Sequence, residues 1–242
     1  NLLRTHAEFN NLSQQDLSAQ IQAICAEQIN EFARQLDPTV PAILTAHIAA
    51  SDATYSGSER TALIGQDPTL LTSTLANPSF DYVALGHIHK YQDLHKGSIP
   101  PVVYSGSLER IDFGEEHETK GFVIVSIDIE NGDPSKRITR FEFIPVAARS
   151  FITVEVEIDQ TSSPTDHILA AIKRKDISNA VVRVLYTMDT EDGESIDLAR
   201  IRTALSEAFY TASIQPRIRP KDRPRRTGIT ENIALAEALQ RY

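Results

Sequence analysis

The stretch Asp81–Leu94, DYVALGHIHKYQDL, limits what this chain can fold into more than any other. A run of strand formers, Tyr82, Val83, Ala84 and Leu85, stops at Gly86 and is followed by two histidines, His87 and His89, one residue apart. Side chains of an extended segment alternate faces with a period of two, so both imidazoles are expected on one side of the chain. Imidazoles leaving a strand end together can ligate one metal ion or two neighbouring ions; a pair of solvated loop histidines is the alternative. A second apolar run, AILTAHI from Ala42 to Ile48, reads as a buried strand with a third histidine, His47, at its exit.

The segments around these two runs set their relation. From Ser13 to Leu36 the apolar positions Leu17, Ile21, Ile24, Cys25, Ile29, Phe32 and Leu36 recur at steps of three and four. That spacing predicts an amphipathic helix with Ser13 as N-cap, Asp16 three residues on, and an end before Asp37-Pro38. After His47 comes a long polar segment, AASDATYSGSERTALIGQD, a candidate functional loop. Asp67-Pro68 is expected to open a short helix through Leu75, which Asn77-Pro78 stops. Strand, helix, strand in this order predicts a parallel pair with a crossover. Ligands of such sheets sit at the carboxyl ends of the strands, where all three histidines fall.

Beyond Gly97 the texture changes to short strands near Val103, over Gly121–Ile129 and over Arg137–Val146. NGDP between the last two predicts a tight turn and an antiparallel hairpin. The linking segment SLERIDFGEEHETK packs Asp112, Glu115, Glu116 and Glu118 together and reads most simply as a solvated acidic loop. From Phe151 the predicted order is strand (to Ile158), helix (Pro164–Lys175), strand (Asn179–Met188), helix (Ser195–Phe209, with Asp197 near its start) and a last extended piece. The fold class is therefore α/β (α+β), with a small β-α-β-α-β unit appended to a first domain.

At 242 residues, 41% hydrophobic and 24% charged, the chain has room for two ordinary domains with real cores. No apolar run approaches the ~20 residues of a membrane-spanning helix, so no membrane association is expected. The lone Cys25 fits a reducing compartment, and a cytoplasmic, nucleoid-associated location is expected. A net charge of −9 argues against a uniformly basic nucleic-acid surface, but leaves room for a local basic strip. RIRPKDRPRR is such a strip: Arg217, Arg219, Lys221, Arg223, Arg225 and Arg226 stand against the single acid Asp222. It can track phosphates, meet an acidic protein surface, or serve as solvated linker.

GHIHK followed by YSGSLERIDFGEE and KGF, with ILTAH upstream and a small α/β unit downstream, resembles the SbcD nuclease subunit. SbcD is the bacterial relative of the Mre-type repair nucleases, within the calcineurin-like metallophosphoesterases. The resemblance runs from about Pro41 to Arg219 and more loosely to Tyr242. It implies a manganese-dependent two-metal phosphodiesterase on two facing sheets flanked by helices. By that resemblance His47 and His87 hold one Mn2+ ion and His89 the other. It further implies a DNA exo/endonuclease, double-stranded DNA and an SbcC-type SMC-like ATPase as partners, and a homodimer.

The family's Asp-x-His, Gly-Asp and Gly-Asn-His-Asp motifs, which carry the carboxylates and the proton-donor histidine, do not occur before His47. With no catalytic residue of its own, the chain alone is expected to bind manganese weakly and to cleave nothing; starting at Asn1, it reads as a piece of a longer protein. The expected divisions are 1–147 for the nuclease domain, 148–220 for a DNA-capping domain and 221–242 for a basic linker and short helix leading to the partner. The acidic DFGEE turn is expected to pack under the metal site. Another calcineurin-like phosphoesterase, or a non-catalytic DNA- or partner-binding module, are the alternative functions.

Overall fold

The structure, a computed structural model, describes residues 13–57, 69–158, 163–188 and 196–218. It divides into two units, Asn1–Ile152 and Thr153–Tyr242.

The first unit opens with α1 (Gln14–Gln35). Ser13 caps it as expected: its hydroxyl oxygen accepts from the Asp16 N–H at 3.1 Å, and its O–H donates to the Asp16 carboxylate at 2.6 Å. The helix buries less than its apolar spacing predicts. Ile29 is buried, whereas Ile24 and Phe32, on the expected buried stripe, are 46% and 47% exposed. Cys25 is half-buried and packs against the core.

β1 (Ile43–His47) and β4 (Tyr82–Gly86) run parallel, in a register that sets His47 opposite Gly86. Between them lie a short parallel pair, β2 (Ala49–Ala50) with β3 (Thr69–Leu70), and a single-turn helix α2 (Thr72–Leu75). The crossover helix is thus shorter than predicted, because Thr69 and Leu70 are spent on β3. Asp67 and Pro68, its expected start, lie outside the described residues.

β6 (Val102–Tyr104) joins β4 in parallel and β5 (Gln92–Asp93) closes the sheet antiparallel, giving the order β1-β4-β6-β5. The strands β1, β4 and β6 are short and rich in β-branched, aromatic and other apolar residues, which suits a pleated, covered surface. Leu44, Val83, Leu85, Val102 and Tyr104 form its buried centre. β1, however, is the outer strand. It alternates buried and open positions, and Ile43 is 50% exposed, so it is half-covered where its apolar run predicts full burial.

β7 (Gly121–Glu130) and β8 (Asp133–Pro145) form the expected hairpin. Its turn is Asn131-Gly132, both at positive φ (51° and 78°), the backbone that suits the right-handed twist of paired strands. The inner face of the hairpin meets the four-stranded sheet through Tyr82–Phe141 and Tyr91–Phe143 ring contacts, with centroids 5.9 and 4.2 Å apart. A largely buried Arg137–Asp81 ion pair at 2.7 Å pins its far end.

The second unit is β9 (Phe151–Glu157), α3 (Pro164–Lys173), β10 (Val181–Met188), α4 (Leu198–Ala204) and β11 (Tyr210–Ile218), in the predicted β-α-β-α-β order. Its sheet runs β11-β10-β9, with β10 and β11 parallel. Asp197 caps α4 by accepting from the Ala199 and Arg200 N–H groups. α4 is shorter than the predicted Ser195–Phe209. The Phe209 and Tyr210 N–H groups bond the Ala180 carbonyl, and the Glu207 carbonyl accepts from the Asn179 N–H, which draws the chain out of the helix and into β11. Among the described residues no helix is long and apolar enough to cross a membrane.

Candidate metal centre

The three histidines leave the sheet at the carboxyl ends of β1 and β4. His47 and His87 come together, their ring centroids 5.2 Å apart at an interplanar angle of 70°. Two features of the backbone allow this. Gly86, facing His47 across the ladder, has no side chain; a Cβ there would lie 3.0 Å from His47 Nδ1. His87 itself sits at φ +103°, a region that residues other than glycine rarely enter, and its Nε2 is fully buried. Strain of this kind survives where surrounding packing over-determines it, and clusters at functional positions.

That backbone corrects one expectation. β4 ends at Gly86, so His87 and His89 are not on an extended strand, and strand alternation does not relate them. Instead they flank Ile88, which is 1% exposed and anchors the turn in the core.

His89 is held from below. Its Nδ1 lies 2.9 Å from Glu115 Oε1, and the Glu115 side chain is wholly buried. The other carboxylate oxygen pairs with Lys120 Nζ at 2.7 Å, and also accepts from the Ile111 N–H at 3.2 Å. Lys120, also buried, donates to Glu118 Oε2 at 2.9 Å and to the His89 carbonyl at 3.1 Å. That carbonyl takes a second bond from the Ser107 N–H at 3.1 Å. Burial pushes the Glu115 carboxyl up, but the hydrogen bonds from Lys120, His89 and the Ile111 N–H outweigh it and hold the group below the usual carboxylate range.

The segment expected as a solvated acidic loop is therefore an organised floor. Asp112 caps the 3-10 turn Phe113–Glu115 by accepting from the Gly114 N–H. The Arg110 guanidinium ties the carbonyls of Glu115 and Glu118 to those of Ala148 and Arg149. Ser56, in the loop after β1, donates to Glu118 Oε1 at 2.6 Å. Gly57 and Gly114 pack backbone to backbone; a Cβ on Gly114 would fall 2.3 Å from Gly57 Cα. Beside this floor a cleft of about 430 Å3 opens, lined in part by Lys90, Tyr91, His117 and Phe143.

Sequence spacing found the histidines but missed Glu115 and Lys120 as a buried pair. The available signal was the lone lysine of KGF, set between an acidic stretch and an apolar strand, where burial demands a carboxylate. Of the basic strip, Arg217 lies on β11, exposed, with its Nη1 3.0 Å from Glu155 Oε1. Arg219, Lys221, Arg223, Arg225 and Arg226 lie outside the described residues.

Chemically, His47 and His87 form an adjacent imidazole pair, and Glu115 engages His89 through Nδ1. Metal-ligating histidines are commonly oriented by a carboxylate on the second ring nitrogen. Among the described residues no group of three or more His, Cys, Asp or Glu side chains is arranged to hold a metal ion. The arrangement brings two imidazoles together, and among the described residues no third His, Cys, Asp or Glu is arranged with them to hold an ion.

Fold and site define a mixed α/β protein with histidines gathered at the carboxyl ends of parallel strands. No family model matches the chain. It is similar to the SbcD subunit of the SbcCD nuclease of Staphylococcus epidermidis, 32% identical over 107 residues, 44% of this chain and 26% of that protein. It is also similar to the SbcD subunit of the SbcCD nuclease of Rhodobacter capsulatus, 28% identical over 162 residues, 65% of this chain and 36% of that protein. The chain is SbcD-like, related to this subunit of the SbcCD nucleases. It spans about a quarter and about a third of the length of these two curated relatives.

Proposed function

We propose that this chain is the histidine-bearing part of an SbcD-type DNA nuclease, which hydrolyses phosphodiester bonds with manganese. The observation that carries the reading is the meeting of His47 and His87 at 5.2 Å, at the carboxyl ends of two parallel strands. His47 and His87 would hold one ion and His89 the other. A pair of bound divalent ions supplies an activated water and stabilises charge at phosphorus. The chain's own residues contribute the imidazole ligands and the floor that fixes them. Bridging carboxylates and a proton donor come from residues beyond these 242, a reading that the limited span of the match to the relatives supports.

In this reading the second unit caps the DNA, and the loop after His47 lies near its path. The basic strip from Arg217 to Arg226 runs along phosphates or toward an SbcC-type ATPase, and the assembled protein is a homodimer. The relatives are subunits of SbcCD nucleases, which supports a partner subunit and a nuclease role.

The test is Mn2+-dependent hydrolysis of a chromogenic phosphodiester and of linear duplex DNA. The 242-residue chain is expected to show none, and the same chain extended by its upstream coding sequence is expected to show turnover that His87→Ala abolishes. Turnover by the chain alone, lost in His87→Ala, overturns the incomplete-centre reading. An upstream sequence that adds neither carboxylate motifs nor activity favours a non-catalytic binding module instead.

A further inference from the structure

The proposed reading assigns a ligand role to His89 but leaves open which ring nitrogen serves, and what the buried ion pair beneath it does. We infer that Glu115 is the positioning residue for His89, and that its hydrogen bond makes Nε2 the ligating atom. The inference rests on the metal-centre reading for its purpose and on the described geometry for its content.

Nδ1 is 2.9 Å from Glu115 Oε1, so an ionised Glu115 can only accept and Nδ1 must carry the hydrogen. In the neutral ring the lone pair is then on Nε2. Three features keep Glu115 in that role. Its other oxygen is taken by Lys120 at 2.7 Å and by the Ile111 N–H at 3.2 Å, so the carboxylate cannot rotate away without breaking both bonds in a buried setting. Lys120 supplies the compensating cation, and the bond to His89 therefore asks only for a neutral N–H. Lys120 also grips the His89 carbonyl, so one side chain fixes both the backbone of His89 and the acceptor for its ring.

A purely structural ion pair explains the burial of Glu115 and Lys120, but not the use of Oε1 on a ring that is 28% exposed. An oriented ligand gains a defined tautomer and a fixed direction for its second ring nitrogen.

The experiment reads the tautomer in the metal-free chain by long-range 1H–15N correlation of the His89 ring at about pH 7.5, above the ordinary histidine range. The expected pattern in the wild type is a protonated Nδ1 and an unprotonated Nε2. The variant Glu115→Leu/Lys120→Met removes the acceptor and its cation together and leaves only Glu118, which is 13% exposed and keeps its hydrogen bond from Ser56, without Lys120; it should fold and show exchange between both tautomers. Glu115→Gln/Lys120→Met returns an amide acceptor and should restore the Nδ1–H form. Mn2+ affinity, read by paramagnetic broadening of the Ile88 and Lys90 amide resonances, should fall about 10- to 100-fold in the first variant and recover in the second.

An Nε2–H tautomer in the wild type, or an unchanged tautomer in the leucine–methionine variant, overturns the role of Glu115 whatever the metal does. A locked tautomer combined with Mn2+ affinity indifferent to His89→Ala overturns the metal-centre reading instead.

Discussion

His87 carries its imidazole on a backbone at φ +103°, and the strain should be measurable. Both His87→Ala and His87→Gly remove the ring, but only glycine adopts this φ freely. The glycine variant is expected to be more stable than the alanine variant by about 1 kcal/mol, read from urea midpoints. A second residue-scale expectation concerns Lys120. Lys120→Met alone leaves the Glu115 carboxylate buried without its cation and should cost about 3–5 kcal/mol, whereas adding Glu115→Leu should return part of that loss, Glu118 still lacking the cation. The contrast between the single and double variants, by chemical denaturation, checks it. At this scale the histidines were legible because their spacing after Gly86 is local. Their arrangement was not, since it depends on a positive φ at His87 and on a carboxylate 26 residues further along the chain than His89. No periodic pattern encodes either.

Among the elements, the hairpin β7–β8 was the most legible, because Asn131-Gly132 carries the turn by itself. Gly132→Ala puts a Cβ at φ 78° and should destabilise the first unit by about 1 kcal/mol, measured by thermal or urea unfolding. The first turn of α3 offers a pH-dependent case. The Asp166 carboxyl is held below its ordinary range by the Ser163 hydroxyl and then by the Arg200 guanidinium, which reaches it from α4. A group with a depressed folded-state pKa adds stability that is full above its unfolded value of about 3.9, and that stability is lost as pH falls through the lower folded value. Asp166→Asn should therefore lower stability at neutral pH, where the contribution is full, change little below the folded-state value, and so flatten part of the acid limb of unfolding, as equilibrium unfolding at a series of pH values would record. α1 marks the limit of pattern reading. Its spacing correctly gave a helix and its cap, yet could not tell which apolar positions find a covering partner, and Ile24 and Phe32 find little among the described residues.

For the whole molecule, element order was readable across the described residues: a strand–crossover–strand core, a hairpin, then β-α-β-α-β. This succeeded because short strands and capped helices alternate with clear punctuation. Sheet coverage was not readable, because it is a property of neighbours rather than of any one segment. The proposed DNA role is checked at this scale. Alanine at Arg219, Arg223 and Arg225 together should lower duplex affinity and reduce the slope of log affinity against log salt by about 2–3, if each arginine neutralises one phosphate. An unchanged slope assigns the strip to protein contacts or to solvated linker. One edge of the first unit bears on the proposed metal centre. β1 is the outer strand of its sheet, parallel to β4, and ends at His47. A further strand that adds to this edge in the same direction, in a register that ends it beside His47, would deliver the residues at its end next to that imidazole. A carboxylate near such an end, on the face that carries His47, would stand beside His47 and His87.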